Sequence, residues 1–229
     1  MRLIRSGACP PAFNLAFDEA LLRTGADALR LYAWDPPGYS LGFFQRAAEH
    51  AVPAGFVLVR RPTGGGAIAH TGELTISWTG RRRRVEGVYE QTNAIVAAAL
   101  ARFGVRVVPG AAEPEAAPAG LCFDSHTRYD LLGDGRKVFG SAQRRGGERF
   151  LMHGTLVLEP NRWSVGSISV RELAGRVVTR GEMEEAVIAA AGDVLQTALE
   201  ESRPNGIELA EADRLVSRRY ANETWTRRR

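Results

Sequence analysis

The sequence contains almost no lysine. Its 229 residues include 30 lysines and arginines together, and Lys137 is the only lysine among them. An ammonium group on a flexible stem approaches one oxygen or sulfur as a point charge, whereas the planar guanidinium of arginine presents a wide fork. Chance survival in an arginine-rich composition is the simple alternative. Because arginine serves at every other basic position, we expect a local chemical reason for Lys137.

Cysteine is also scarce, and long apolar runs are missing. The two cysteines, Cys9 and Cys122, are too few for a disulfide framework, which favours a reduced protein of the cytoplasm. No apolar run approaches the roughly 18 residues of a membrane span, and residues 1–5 lack the apolar segment of a secretory signal. The sequence therefore predicts a cytoplasmic protein without a membrane segment.

The four histidines show no metal-ligand spacing, so we predict no metal site. The net charge is only +4, but arginines cluster at 60–61, 81–84, 144–145 and 227–229. Such clusters suit nucleic acid or an acidic protein, and they also occur as solvated turns. Because no zinc spacing, helix-turn-helix signal or aromatic RNA-binding motif accompanies them, we do not expect a nucleic-acid partner.

The composition, with 45% hydrophobic and 24% charged residues, is that of a globular protein. No repeat or linker divides it, so we predict one α+β domain over residues 1–229 with a central, mainly antiparallel or mixed sheet. The predicted strands are 28–34, 39–42, 56–60, 73–79, 105–108 and 150–158, with a hairpin of 127–132 and 136–143. The predicted helices are 15–23, capped by Asn14, then 86–103, 169–173, 181–200 and 209–221.

Three consecutive glycines, Gly64 to Gly66, follow Arg60-Arg61 and precede His70. Glycine between strands costs backbone entropy, and close approach of backbone N–H groups to a ligand is the usual reason for it. The adjacent arginines indicate a ligand with negative charge or a polarised carbonyl, and a flexible surface loop is the alternative. The loop matches neither the phosphate-binding loop nor the dinucleotide fingerprint.

A lone cysteine is most often a small buried hydrophobic residue. Cys122 differs because it begins a polar loop. Nucleophiles often lie on such loops, and a nearby ammonium activates a thiol. The hairpin after this loop should bring Lys137 back towards Cys122, and residues 109–119 could form a lid. His126 is either a candidate base or a solvated loop histidine. His70 and His153 either orient the backbone or contact a ligand.

Several motifs together resemble the biotin/lipoate protein ligase superfamily. They are Asn14-Leu15-Ala16 with Asp18-Glu19, Arg60-Arg61 with Gly64-Gly65-Gly66 and His70, Asp130 with Gly135, Lys137-Val138 and Gly140-Ser141-Ala142-Gln143, and His153-Gly154-Thr155. The resemblance implies a central sheet flanked by helices, with an acyl chain held between the glycine loop and the lysine. It also implies substrate-binding positions at Arg60, Gly64, Gly65, Gly66, His70, Gly140, Ser141, Ala142 and His153.

Within the superfamily, the chain is most similar to the cysteine-dependent octanoyltransferases of the LipM type. Cys122-Phe123 precedes the lysine hairpin as in those enzymes, and Glu73-Leu74-Thr75 follows His70 where ATP-dependent ligases usually carry His-Asp. The short tail after Ala221 leaves no room for the accessory domain of many ligases. Gly66, by contrast, departs from the arginine expected in many LipM-type loops.

This resemblance implies octanoyl transfer from acyl carrier protein to a lipoyl-domain protein such as glycine cleavage H protein, through a thioester on Cys122 and with Lys137 stabilising charge. It implies a monomer that needs no cofactor. One alternative is an ATP-dependent lipoate ligase that uses ATP and magnesium, with Cys122 incidental. The other is a non-catalytic module that binds lipoyl carriers or nucleic acid.

Overall fold

A mixed eight-stranded sheet is the centre of the computed structural model, which describes residues 1–81, 84–111 and 120–228. The strands are β1 (Arg2–Cys9), β2 (Ala28–Trp34), β3 (Gly38–Leu41), β4 (Val57–Arg60), β5 (Ile68–His70), β6 (Glu73–Arg81), β7 (Val108–Pro109), β8 (Leu131–Gly133), β9 (Arg136–Gly146), β10 (Arg149–Val157) and β11 (Glu200–Glu201). The main sheet has the order β11-β1-β2-β6-β10-β9-β8-β7. Among the described strand pairs of this sheet, only β1–β11 and β1–β2 are parallel, so the predicted mixed sheet is confirmed.

Helices cover both faces of this sheet. They are α1 (Pro11–Thr24), α2 (Val85–Ala101), α3 (Val170–Ala174), α4 (Arg180–Leu195), α5 (Gly206–Leu215) and α6 (Glu223–Thr226), with a 3₁₀ turn at Ala47–Glu49 and a π-helical turn at Val216–Tyr220. Ile76 and Phe150 of the sheet pack with Val96 of α2 and Val187 of α4. On the other face, Ile4 of β1 packs with α1 and α5. Alternating side chains along the strands thus serve two apolar cores.

A second sheet of three strands, ordered β4-β3-β5, lies on the α1 side. Strand β3 runs parallel to β4 and antiparallel to β5, with Ser40 opposite Ile68. Val59 of β4 packs into the same apolar cluster as Leu15 of α1. The small sheet therefore faces the main sheet across a gap, and the glycine loop between β4 and β5 lies at the edge of that gap.

Several predicted boundaries are wrong. The strand predicted at 127–132 is the shorter β8 (Leu131–Gly133), and the helix predicted at 209–221 is α5 (Gly206–Leu215) followed by the π-helical turn. Helix α1 begins at Pro11, as proline in the first turn favours, and not after Asn14. Asn14 is buried inside the helix, where its side-chain amide donates to the carbonyls of Cys9 (3.1 Å) and Ala33 (2.9 Å). The strand predicted at 105–108 is the two-residue β7, and Val105 packs into the core instead. Strand β1 was not predicted at all.

Among the described residues, no helix has both the length and the apolar character needed to cross a membrane. The predicted lid at 109–119 falls mostly on residues 112–119, which lie outside the described ranges. The arginine clusters at 81–84 and 227–229 are also only partly described.

Candidate active site

The gap between the two sheets contains a cavity of about 420 Å³, counted with its opening to solvent. The small sheet contributes Ser40, Ile68 and His70 to its wall. The main sheet contributes the two segments 140–142 and 153–155. Leu15, Tyr32 and Trp34 make part of the wall apolar. This combination of an apolar lining with a few polar groups is typical of a small-ligand site.

Cys122 is fixed at this cavity by backbone contacts with the glycine loop. Its N–H donates to the carbonyl of Ala67 (2.8 Å), and the Ala67 N–H donates to the carbonyl of Gly120 (3.2 Å). A Cβ atom on Gly66 would lie 2.7 Å from the Cys122 nitrogen and 2.9 Å from its Cα. Gly66 therefore lacks a side chain because the backbone of the cysteine segment occupies that space.

Lys137 of β9 lies directly behind Cys122 and is only 4% exposed. Its Nζ donates to the Cys122 carbonyl (2.7 Å), pairs with Asp130 Oδ2 (3.1 Å) and lies 3.4 Å from Cys122 Sγ. The Ser125 carbonyl, at 3.5 Å, is a fourth and more distant acceptor for the three N–H donors of this ammonium. Burial alone would lower the pKa of Lys137, but the Cys122 thiolate and the Asp130 carboxylate outweigh it and raise this pKa.

Gly140 provides the space for this lysine. A Cβ atom at position 140 would lie 2.5 Å from Lys137 Cε and 3.0 Å from its Nζ. Strand β9 thus carries both the lysine and, three residues later, the glycine over which its side chain lies. The contact between Lys137 and Cys122 joins the main sheet to the loop held by the small sheet.

The structure places the two adjacent arginines differently. Arg61 lines the cavity, and its guanidinium donates to the carbonyls of Gly64 (2.9 Å), Gly66 (2.6 Å) and Ser40 (3.0 Å). Arg60, which the sequence singled out for substrate binding, is fully buried and not part of the cavity wall. Its guanidinium donates to main-chain carbonyls, including Gly42 O (2.9 Å). Arg60 ends β4, and Arg61 continues the extended pairing because its N–H donates to the carbonyl of Leu41 (3.0 Å), so the two side chains point in opposite directions.

Both predicted cavity histidines line the wall, and each is held at both ring nitrogens. His70 contacts Ser40 Oγ through Nε2 (2.7 Å) and Glu73 through Nδ1. His153 contacts Thr63 Oγ1 through Nε2 (2.6 Å), and its Nδ1 lies 3.4 Å from an oxygen of Asp18.

Asp18 is completely buried against Arg30, with Nη1 at 2.8 Å. Burial alone would raise the pKa of Asp18, but Arg30 and His153 hold it below its ordinary value.

Most of the predicted site residues meet at the cavity. Gly65, His70, Cys122, Gly140, Ser141, Ala142 and His153 line it. Gly64 and Gly66 border it through their carbonyl contacts with Arg61. The candidate base His126 is exposed and is not among the lining residues.

Sequence reasoning missed Ser40 as a lining residue, and it assigned the substrate-binding position to Arg60 in place of Arg61. A lone serine in the apolar strand β3 was the available signal. Within the described ranges, no group of three or more His, Cys, Asp or Glu side chains is arranged to hold a metal ion.

Comparison with known proteins identifies the family. A family model described as the lipoyl protein ligase A/B catalytic domain matches residues 10–185. The chain belongs to this family. Among curated relatives, octanoyltransferase LipM of Geobacillus kaustophilus strain HTA426 is 30% identical over 272 residues, covering 100% of this chain and 98% of the relative. Octanoyltransferase LipM of Symbiobacterium thermophilum is 32% identical over 269 residues with the same coverage.

Solved structures of the family have the same fold. A putative lipoate protein ligase from T. acidophilum superposes with a TM-score of 0.87 at 23% identity, over 100% of this chain and 98% of that one. Lipoate-protein ligase A bound with ATP gives a TM-score of 0.86 at 23% identity, over 99% and 98%. At this identity the likeness establishes the fold alone. The family match ends at residue 185, so the single domain over 1–229 stays a prediction.

Proposed function

We propose that this lipoyl protein ligase family member is an octanoyltransferase of protein lipoylation. It would move the octanoyl group from acyl carrier protein to the ε-amine of a lysine on a lipoyl domain. The full-length similarity to LipM octanoyltransferases supports this function. The observation that carries the mechanism is the 3.4 Å contact between Lys137 Nζ and Cys122 Sγ at the wall of a partly apolar cavity.

In the first half-reaction, the Cys122 thiolate attacks the thioester carbonyl of the donor. A new C–S bond forms to Cys122, the old C–S bond breaks, and the carrier thiol leaves with its electron pair and takes a proton. The Lys137 ammonium stabilises the thiolate before attack and the negative charge that develops during it. In the second half-reaction the acceptor lysine takes the acyl group and releases Cys122.

The cavity wall supports the acyl part of this proposal. Leu15, Tyr32, Trp34 and Ile68 offer apolar surface for an alkyl chain, and Cys122 lies on the same wall. Burying an alkyl chain contributes roughly 0.8 kcal/mol per methylene group. An eight-carbon chain would therefore gain much of its binding free energy from these contacts.

The partners follow from this reaction. Acyl carrier protein is the donor, and a lipoyl-domain protein such as glycine cleavage H protein is the acceptor. A structural relative is described as an archaeal bi-partite lipoate protein ligase and its E2 lipoyl domain, which supports a lipoyl domain as the acceptor. We also propose that the enzyme needs no cofactor, is monomeric and works in the cytoplasm.

Intact mass spectrometry tests the proposal. Mixing the protein with octanoyl acyl carrier protein, without ATP or an acceptor, should add one octanoyl mass, and hydroxylamine should remove it. C122A should form no adduct. C9A is the matched control, because Cys9 is the other free thiol and its Sγ contacts the carbonyl of Ser6 (3.3 Å), away from the cavity. It should be acylated as fast as the wild type.

The ligase alternative gives a different result. It predicts no adduct with octanoyl acyl carrier protein, but release of pyrophosphate from ATP when lipoate is present. A C122A variant that still lipoylates or octanoylates the acceptor at the wild-type rate would refute the thioester mechanism.

A further inference from the structure

Three side chains form a continuous hydrogen-bonded chain beside the cavity. Ser40 Oγ lies 2.7 Å from His70 Nε2, and His70 Nδ1 contacts Oε1 of Glu73. Ser40 and His70 line the cavity that Cys122 also lines. All three members of the chain are at least nine-tenths buried. The mechanism above assigns none of them a role.

The hydrogen bonds indicate the direction in which the side chains of Ser40, His70 and Glu73 can carry a proton. Oε2 of Glu73 accepts from the N–H of Thr71 (3.0 Å), so both carboxylate oxygens act as acceptors. When the Glu73 carboxylate accepts from an N–H at His70 Nδ1, the neutral imidazole has its acceptor at Nε2, facing the Ser40 hydroxyl. Arg61 Nη1 donates to the same hydroxyl oxygen (3.1 Å), which leaves the hydroxyl hydrogen of Ser40 available to donate to His70.

His70 is suited to accept a proton because it is held neutral. Burial lowers the pKa of His70, and Arg61 and His153 act in the same direction, while Glu73 raises it. Trp34 stacks on the ring with 3.7 Å between centroids and adds no charge. The net pKa lies below the ordinary value, so the unprotonated Nε2 is the main form at neutral pH.

The hydrogen-bonded side chains of Ser40 and His70 also lie close to the nucleophile Cys122. Arg61 donates to Ser40 and to the carbonyl of Gly66, and Gly66 packs against the backbone of Cys122. Ile68, opposite Ser40 in the small sheet, packs in one cluster with Cys122. His153 lacks a hydroxyl partner at the cavity wall, because Thr63, which contacts its Nε2, is not among the lining residues.

We propose that His70, acting through the Ser40 hydroxyl and oriented by Glu73, is the base that deprotonates the acceptor amine in the second half-reaction. This inference rests on the proposed octanoyl transfer. The amine nitrogen forms a C–N bond to the acyl carbon and becomes positively charged. The C–S bond then breaks, and sulfur leaves as the thiolate next to Lys137. The nitrogen gives one proton to Ser40 Oγ as Ser40 gives its own to His70 Nε2.

A route out for this proton lies on the far side of Glu73. Glu73 and Trp34 line a second recess together with Thr179 and Arg180, both of which are exposed. His70 therefore lies between the acyl cavity and a carboxylate that borders a separate opening to solvent. The imidazolium formed in each turnover can lose its proton without crossing the cavity that holds the acyl chain.

The two half-reactions separate this role from a structural one. In H70Q and S40A we expect octanoyl-enzyme to form at the wild-type rate. Transfer from that octanoyl-enzyme to a lipoyl domain should slow, by about 10²–10⁴-fold for H70Q, the usual contribution of general base catalysis. S40A removes a single oxygen, so it tests the same proton route even if H70Q fails to fold. Hydroxylamine should cleave the octanoyl-enzyme of each variant at the wild-type rate, because its adduct loses its proton readily without a base.

The control is H50Q, which makes the same change at a histidine that is not among the lining residues and should leave both half-reactions unchanged. The base assignment would be overturned if the variants formed the octanoyl-enzyme as slowly as they transferred its acyl group. It would also be overturned if cleavage by hydroxylamine slowed as much as transfer to the lipoyl domain. Transfer at the wild-type rate in both H70Q and S40A would overturn it as well. If the wild type forms no octanoyl-enzyme, the proposed function itself fails, and this result is distinct from each of the others.

Discussion

Replacing Gly140 by alanine should displace Lys137 from Cys122. The new Cβ would lie 2.5 Å from Lys137 Cε, 3.0 Å from its Nζ and 3.2 Å from Asp130 Oδ1. Carbon atoms in contact prefer about 3.5–4.0 Å, so the lysine stem must retreat by about 1 Å. The backbone of Gly140 cannot easily yield instead, because β9 pairs with β10 at this position.

The site offers little room for such a retreat. Lys137 is 4% exposed, and its ammonium is held by the Cys122 carbonyl and Asp130 as well as by the thiol. A misplacement of about 1 Å costs on the order of 10²-fold in rate. Overpacking lowers the free energy of unfolding by about 1–3 kcal/mol. G140A should therefore remain folded while forming octanoyl-enzyme about 100-fold more slowly.

Two measurements decide the outcome. Rapid-quench mass spectrometry gives the rate of octanoyl-enzyme formation, and urea unfolding gives the stability of the same variant. G181A is the matched control, because a Cβ at that position in α4 meets no atom within 4 Å. It should acylate at the wild-type rate. A folded G140A that also acylates at the wild-type rate would show that the fixed position of Lys137 does not govern thiol reactivity.

Two further predictions concern stability. R60M should lower the free energy of unfolding by about 3 kcal/mol, because carbonyls such as Gly42 O and Thr226 O lose a buried charged donor. Urea titration measures this change, and an unchanged unfolding midpoint would contradict the prediction. Burial alone would raise the pKa of Glu19, but Tyr220, Arg219 and Arg23 lower it below the ordinary 4.5. Its stabilisation is therefore complete above about pH 4.5 and lost as pH falls through the folded-state pKa. E19Q should flatten the acid side of a stability-versus-pH curve, and an unchanged slope would refute this.

The sequence was most informative where a rare residue coincided with a clear hairpin. Lys137 stood out as the single lysine, and the turn at 133–135 predicted that it returns towards Cys122. The structure brings their side chains to 3.4 Å. Strand β9 was predicted well, because alternation and the glycine turn are local signals, whereas only the last two residues of the predicted strand 127–132 belong to β8. The partner Asp130 appeared in the sequence only as part of a family motif.

Side-chain direction was harder to predict where tertiary contacts decide it. Nothing local distinguishes Arg60 from Arg61, yet one is buried under main-chain carbonyls and the other faces the cavity. Asn14 has the propensity of a helix cap, but tertiary hydrogen bonds to Cys9 and Ala33 place it inside α1. For both Arg60 and Asn14, the position of the side chain depends on which strands or helices pack against that part of the chain. Residues that are close in sequence do not contain this information.

The reacting pair depends on both sheets, since Lys137 belongs to the main sheet and the Cys122 segment is bonded to Ala67 at the start of the small one. The small sheet is in turn fastened by the end of the chain. Arg60 Nε donates to the carbonyl of Thr226 (3.0 Å), and Trp225 Nε1 donates to the carbonyl of Arg60 (3.0 Å). Residues beyond 185, the limit of the family match, therefore help to hold the small sheet, next to which the Cys122 segment is bonded.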